Sequence, residues 1–495
     1  MKRIFLLLLF SLSTFLLHAG IKIYPAPPHS QLNHAFTVKV RQNGGDWHQL
    51  DVYLAKVANN INGLIKQEMT SFAYFDFQGE VEISVTSNNA NINTVSLRPL
   101  SFGIVPAATE NTVTFKLKSP KNLSLEINGN IFNNLHLFTN PLDNFKHNAR
   151  DTNLVYFGPG IHRIGRLRVP SGKTVYIAGG AIVQGALMMD KVNHVKIRGR
   201  GILTQLSLPG DPVQAAGGKP GQKPAEPRGD AITINYSEAV SIDGIIVLPH
   251  KYSVLIGQSA GVTLKNLRSF SSEGNADGID VFCSNNVLID SVFMRNSDDC
   301  IAIYGHRWSF FGNTNKVRVT NSTLWADVAH PVLIGTHGDS LHPDTLADIS
   351  FKNIDILDQH ENQIDYQGCL ALNAGDSNLI DQVSFTNINV ENIRKGQLVN
   401  LRVMYNQKYN TSPGNGIRNI LFKNMTYKGL NANLSVICGY DDARGIKNVT
   451  FENLCINGRM ISDNMPGKPG FYKTGDMANI MVGEHVEGIK FVVTR

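Results

Sequence analysis

From Val195 onward the chain runs in short stretches that alternate apolar and polar residues, and one phrase keeps returning: an alternating strand, a turn residue, then another apolar pair. It starts at Val195 (VKIRGRGIL), Val240 (VSIDGIIVL), Val262 (VTLKNL), Val287 (VLIDSVFM), Val317 (VRVTNSTLW), Ile349 (ISFKNIDIL), Val383 (VSFTNINV), Ile420 (ILFKNMTY) and Val449 (VTFENLCI). Steps run from 22 residues (Val240 to Val262) to 45 (Val195 to Val240). Alternation over so few residues marks strands, and a phrase recurring at this period marks stacked units that cannot bury their apolar faces alone. Because no unit holds a helical pattern, the expected fold is all-β: a parallel β-helix, a solenoid gaining about 4.8 Å per coil. Longer steps imply loops at the corners, the largest being the Pro- and Gly-rich segment Leu206 to Asp230.

The earlier part of the chain follows another rhythm. AFTVKVRQ, WHQLDVYLAKV, SFAYFDFQGEVEISVTS, TVTFKLKS and LSLEING alternate between turn signals in the manner of an antiparallel β-sandwich. The expected division is a sandwich over residues 21–145 and a β-helix over 146–495, joined through the stretch Pro141 to Thr152. Trp47 and Tyr74 are candidate carbohydrate contacts on the sandwich. Met1–Gly20 reads as a cleavable export signal, with Lys2 and Arg3 before an apolar run ending at Leu17, so a secreted or periplasmic protein is expected.

Composition narrows the partners. The 44 glycines suit a strand-and-turn protein. Formal charge is +6 over 46 basic and 40 acidic residues, too mild for nucleic acid or a membrane surface. No later run is apolar enough for a membrane anchor. The five cysteines, Cys283, Cys300, Cys369, Cys438 and Cys455, are odd in number and widely spaced, and read as buried thiols rather than a disulfide framework or a zinc site. No cofactor is expected, and nothing here encodes an oligomeric state.

The chemistry gathers between Asn275 and His330. Asp277 lies 15 residues after the phrase start at Val262, Asp298 lies 11 after Val287, and His330 lies 13 after Val317. These positions fall at a similar corner of three consecutive coils, which would bring Asp277, Asp298, Asp299 and His330 together. Clustered carboxylates repel as anions, so at least one holds a proton near neutrality. A protonated acid beside an ionised one is what glycosidic cleavage needs. Around them Asn275, Tyr304, His306, Arg307, Trp308, Trp325 and His337 are candidate substrate contacts, with Tyr304 and Trp308 as stacking platforms for sugar rings. A metal site in GTHGDSLHPD is a weak alternative, and none is expected.

The ordered set Asn275-Ala276-Asp277-Gly278, Asp298-Asp299 and Ala329-His330-Pro331 resembles the right-handed β-helix glycosidases that include polygalacturonases (family 28) and dextranases and isopullulanases (family 49). The resemblance implies Asp298 as general acid, Asp277 and Asp299 holding and activating water, His330 supporting the acid or orienting substrate, and inversion at the anomeric centre. The Arg-Ile-Lys of the polygalacturonase pattern is missing; Gly368-Cys369-Leu370-Ala371-Leu372-Asn373 stands in its region. With the N-terminal sandwich, this favours a family 49-like enzyme on a neutral α-glucan such as dextran or pullulan. A polygalacturonase-like hydrolase of pectic or sulfated glycans is the alternative, with Arg394, Lys395 or Arg402 supplying charge. A β-helical lyase and a non-catalytic glycan-binding protein are further readings.

Overall fold

A computed structural model describes residues 20–207 and 229–494. The leader Met1–Ala19 and most of the expected corner loop, residues 208–228, lie outside the described residues.

Residues 20–140 form two facing sheets. One holds Gly20–Ile23, Tyr53–Ile61, Leu64–Gln78, Val95–Arg98, Asn122–Ile127 and Leu135–Asn140; the other holds Phe36–Arg41, His48–Leu50, Val81–Ser87, Ala107–Thr109 and Thr112–Leu117. Alternation puts Val38, Val40, Phe75, Phe77, Ile83 and Val85 between them. The sheets are not wholly antiparallel as expected, because Leu135–Asn140 runs parallel to Leu64–Gln78.

The rest is a parallel β-helix: 29 strands pair into one continuous wound sheet. The phrase starts stack in register, with Val262, Val287, Val317, Ile349, Val383, Ile420 and Val449 as successive Cα partners. Two side-chain ladders hold the coils. Inside, Phe351, Phe385, Phe422, Phe451 and Phe491 stack at centroid spacings of 4.8–5.2 Å. At the corner, Asn321, Asn353, Asn387, Asn424 and Asn453 take positive φ, which Asn tolerates, and hand one amide bond of 2.9 Å from each coil to the next.

Each coil presents three walls. The first contains Ile246–Leu248, Arg268–Phe270 and Phe293–Asn296, and the sandwich covers it. Its outward Phe270, Phe293, Trp325 and Leu357 pack on Tyr53, Val57, Phe72 and Phe138. Charge crosses the same interface. Arg98 of the sandwich pairs at 2.7 Å with both Glu126 and Glu391, and Arg295 of the β-helix pairs with Asp327 at 3.0 Å and donates to Asn134 at 3.1 Å. Removing one partner of a buried pair strands the others, so Arg98→Ala should cost about 3–5 kcal/mol, read as a lowered denaturation midpoint. A loss under about 1 kcal/mol would mean that water reaches these carboxylates.

Candidate active site

The chain leaves the covered wall at Ser271, turns at Asn275 with φ of 52°, and enters the next wall with Ile279–Phe282. Two later coils do the same before Ile301–Tyr304 and Val332–Gly335. Asp277, Asp299 and His330 each stand two residues before those in-register strands. Main-chain bonds of 2.8 Å from Gly278 N to Asp299 O and from Cys300 N to His330 O tie the three corners. The corner also explains Gly278: a Cβ there would lie 2.2 Å from the Cys300 carbonyl. The expected alignment is therefore corrected by one residue. Asp299, not Asp298, shares the column with Asp277 and His330. Asp298 precedes it, is only half-buried, and accepts from Asn275 N at 3.1 Å.

Burial and like charge set the protonation. Asp298 is pushed up to about 8 by burial, then by Asp299, with Glu361 adding and His330 opposing. Asp277 is raised well above the ordinary range by burial, then by Asp280 and Asp298. Asp280 is raised too, by burial and then Asp299, and both of its buried carboxyl oxygens lack a hydrogen-bond partner among the described residues. His330 is fully buried. Its Nδ1 faces Asp299 Oδ1 at 2.7 Å and its Nε2 faces the Tyr366 carbonyl. Both partners are acceptors, so both ring nitrogens carry protons, and Asp299 with its hydrogen bond outweighs burial to lift the imidazole to about 9. Tyr304 O–H also donates to Asp299, at 3.3 Å.

Asp280 and Glu361 escaped the sequence reading. Asp280 has a signal in hindsight: Ile279 and Val281 face the core, so period two turns Asp280 onto the site face. Glu361 lies on the irregular segment between the Ile356 and Leu370 strands, where no periodicity points to it.

The aromatic candidates divide. Trp308 is 54% exposed, stacks on Tyr252 and sits edge-on to Phe282, and the Arg307 guanidinium lies 4.9 Å over its ring. Tyr304 is buried against Phe282 and is a partner of Asp299, not an open platform. His337 stands edge-on to Tyr304 at 5.1 Å, held neutral by burial and Arg307, its pKa pushed down to about 3. His306 sits edge-on to Phe311, and its main-chain N–H donates to Asp344 at 2.7 Å. Trp325 is corrected outright: at 0% exposure it lies in the interface with the sandwich, Arg295 over its ring at 3.9 Å. Tyr74 is buried in that interface as well, whereas Trp47 is part-exposed beneath Arg41. Among the described residues no cluster of His, Cys, Asp or Glu is disposed to hold a metal, and all five cysteines are free thiols.

One coil beyond His330, Leu370 and Leu372 point into the core; Ala371 and Asn373 face outward. The next coil brings Arg402 beside Asn373 on the same outward column. Its Nε is buried without a partner, and its side chain lines a cavity of about 490 Å³ with Asp365, Tyr405 and Gln407. Arg394 is committed elsewhere, to Asp358 and Asp327, and Lys395 is exposed.

The family model "Glycosyl hydrolases family 28" matches residues 178–467. The polygalacturonase of Chamaecyparis obtusa is 25% identical over 178 residues, 35% of this chain and 32% of its own length. The matched stretch thus spans about a third of that curated relative. Among solved structures, Dex49A from Penicillium minioluteum superposes with a TM-score of 0.55 at 12% identity, covering 93% of this chain and 96% of its own. The family 28 exopolygalacturonase of Yersinia enterocolitica gives 0.50 at 12% identity, over 84% and 98%. At these identities the structural likeness is one of fold.

Proposed function

We propose a function from one premise: the chain belongs to the glycosyl hydrolases of family 28. It hydrolyses an acidic, galacturonate-containing polysaccharide by single displacement with inversion. Asp298 gives its proton to the glycosidic oxygen as the bond to the anomeric carbon breaks. Water, held between Asp299 and Asp277, attacks that carbon from the other side and loses its proton to Asp299. The carrying observation is the pairing of an acid raised to about 8 with a neighbouring carboxylate locked to an imidazolium.

For substrate, this replaces the neutral α-glucan expected from the sequence. That expectation rested on the N-terminal sandwich and on Leu370 and Leu372 standing where cations were needed, but both leucines are core residues. Arg402 supports the acidic reading: a guanidinium with an unpartnered donor, three rungs or roughly 14 Å along the column from Tyr304, suits a carboxylate on a sugar unit beyond the cleaved one.

Reducing-end release measured side by side on polygalacturonate, dextran and pullulan tests the reading, with NMR of the first product for its anomer. Cleavage of polygalacturonate with an inverted product is expected. Cleavage of dextran alone would return the neutral reading, and an unsaturated product end would make the enzyme a lyase. Loss of a charge-assisted hydrogen bond is worth about 1.5–3 kcal/mol, so Arg402→Ala should raise KM for polygalacturonate roughly ten- to a hundredfold with kcat little changed.

A further inference from the structure

We infer that the hairpin formed by Tyr53–Ile61 and Leu64–Gln78 of the sandwich reaches past the domain interface to form a wall of the catalytic cleft, where its apolar tip holds the glycan chain away from the cleaved bond. The inference rests on the hydrolase reading for the identity of the ligand. The two strands pair from Tyr53 with Phe72 out to Ile61 with Leu64. Only from Ser71 onward does the longer strand gain other neighbours, Leu135–Asn140 and Gly20–Ile23. The outer half is thus a two-stranded arm, marginal on its own in water. Its root is anchored by Ala55 and Val57 in the interface core.

Among the described residues, two contacts of the tip with the β-helix adjoin the acids. Ile65 Cδ1 lies 3.8 Å from where a Cβ on Gly274 would stand, and the next residue, Asn275, donates its N–H to Asp298. Asn60 Oδ1 accepts from Asn362 Nδ2 at 3.0 Å, and Asn362 follows Glu361, whose charge reaches Asp298 and His330. Ile61 and Leu64 on one face of the tip, and Ile65 and Met69 on the other, are exposed, Leu64 by 77%. Apolar side chains grouped on an arm tip cost solubility and mark a contact surface. Continuity with the catalytic corner names the occupant: the apolar faces of sugar rings in the chain leaving the cleft, with Asn59, Asn62 and the Lys66–Glu68 pair (2.8 Å) available to their hydroxyls.

The test is the double variant Leu64→Ser with Ile65→Ser, assayed on a polymer and on a trimer of the same sugar, whichever glycan the unaltered enzyme cleaves. Losing part of two aliphatic contacts should lower kcat/KM on the polymer about tenfold through KM. The trimer, which lays fewer rings along the arm, should lose distinctly less, and the melting temperature should hold. Equal changes on both substrates, or none on either, would overturn the inference. If the unaltered protein cleaves no glycan, the hydrolase reading fails by itself. The arm is then judged by affinity electrophoresis in gels containing polygalacturonate: retardation lost in the variant supports it, and equal mobility of the two proteins overturns it.

Discussion

Asp298→Asn should lower turnover about 10²–10⁴-fold, the usual worth of a positioned proton donor. The amide keeps the shape of the carboxyl, and its oxygen can still accept from Asn275 N–H, so the corner should stay folded. What it lacks is a proton for the departing sugar oxygen. A substrate with an acidic phenol as leaving group needs no such proton, and on it the variant should recover most of its loss. Nothing else at the corner makes the same forecast, since removing a water-activating group slows both substrates alike. The pH profile adds a second reading. Asp298 is the acid only while protonated, and burial with Asp299 holds its proton up to about 8, so kcat for the unaltered enzyme should fall as pH rises through about 8. The variant should lose that alkaline limb. Melting temperature should move by only about 2–3 °C. A variant with near-normal turnover on polymer, or an equal deficit on both leaving groups, would remove Asp298 from the acid's role.

Most of what positions this acid is written in local sequence. The phrase starts from Val262 to Val449 stack as one register column because apolar alternation fixes which face of each strand is buried, and a slip by one residue would expose it. The corner was legible to within one residue. Counting forward from the previous strand put Asp298 level with Asp277, whereas the register counts backward from the following strand and chooses Asp299. Corner loops differ in length, so only the second count survives them. Trp325 failed for another reason. Its neighbours read as an outward strand beside the site, and nothing local says that a second domain covers that wall. The same blindness hid the role of Tyr366, whose carbonyl meets His330 from the end of a short 3-10 turn, and of the hairpin arm, whose contacts come from some 200 to 300 residues away in the chain. Strand period is a local property; what a loop or another domain lays over a strand is not.

His330→Gln carries the largest combined effect on activity and stability. The imidazolium touches no sugar: it is fully buried, one nitrogen on Asp299 and the other on the Tyr366 carbonyl. It is a positioning residue that keeps Asp299 aimed. Without it the carboxylates at this corner lose the positive charge that opposes the rise of Asp298. Removing one partner of such a pair costs about 3–5 kcal/mol, and misplacement of the base should lower kcat about a hundredfold. A structural role alone would stop there; the titrations separate the two. His330 holds the pKa of Asp298 down, so its loss should carry the alkaline limb of kcat above about 8. Stability should respond as well. The folded imidazole titrates near 9 against an ordinary 6.5, so its contribution is complete below about 6.5 and vanishes as pH climbs through 9. The unaltered enzyme should therefore lose melting temperature across that window, in addition to the decline already begun at lower pH by Asp298, whose pKa is likewise raised. In His330→Gln the upper part of the decline should be shallower, measured by thermal melts from pH 5 to 10. A variant that is merely less stable, with its alkaline limb still near 8 and the same slope of melting temperature between 6.5 and 9, would show that the imidazole fills space and does not tune the acids.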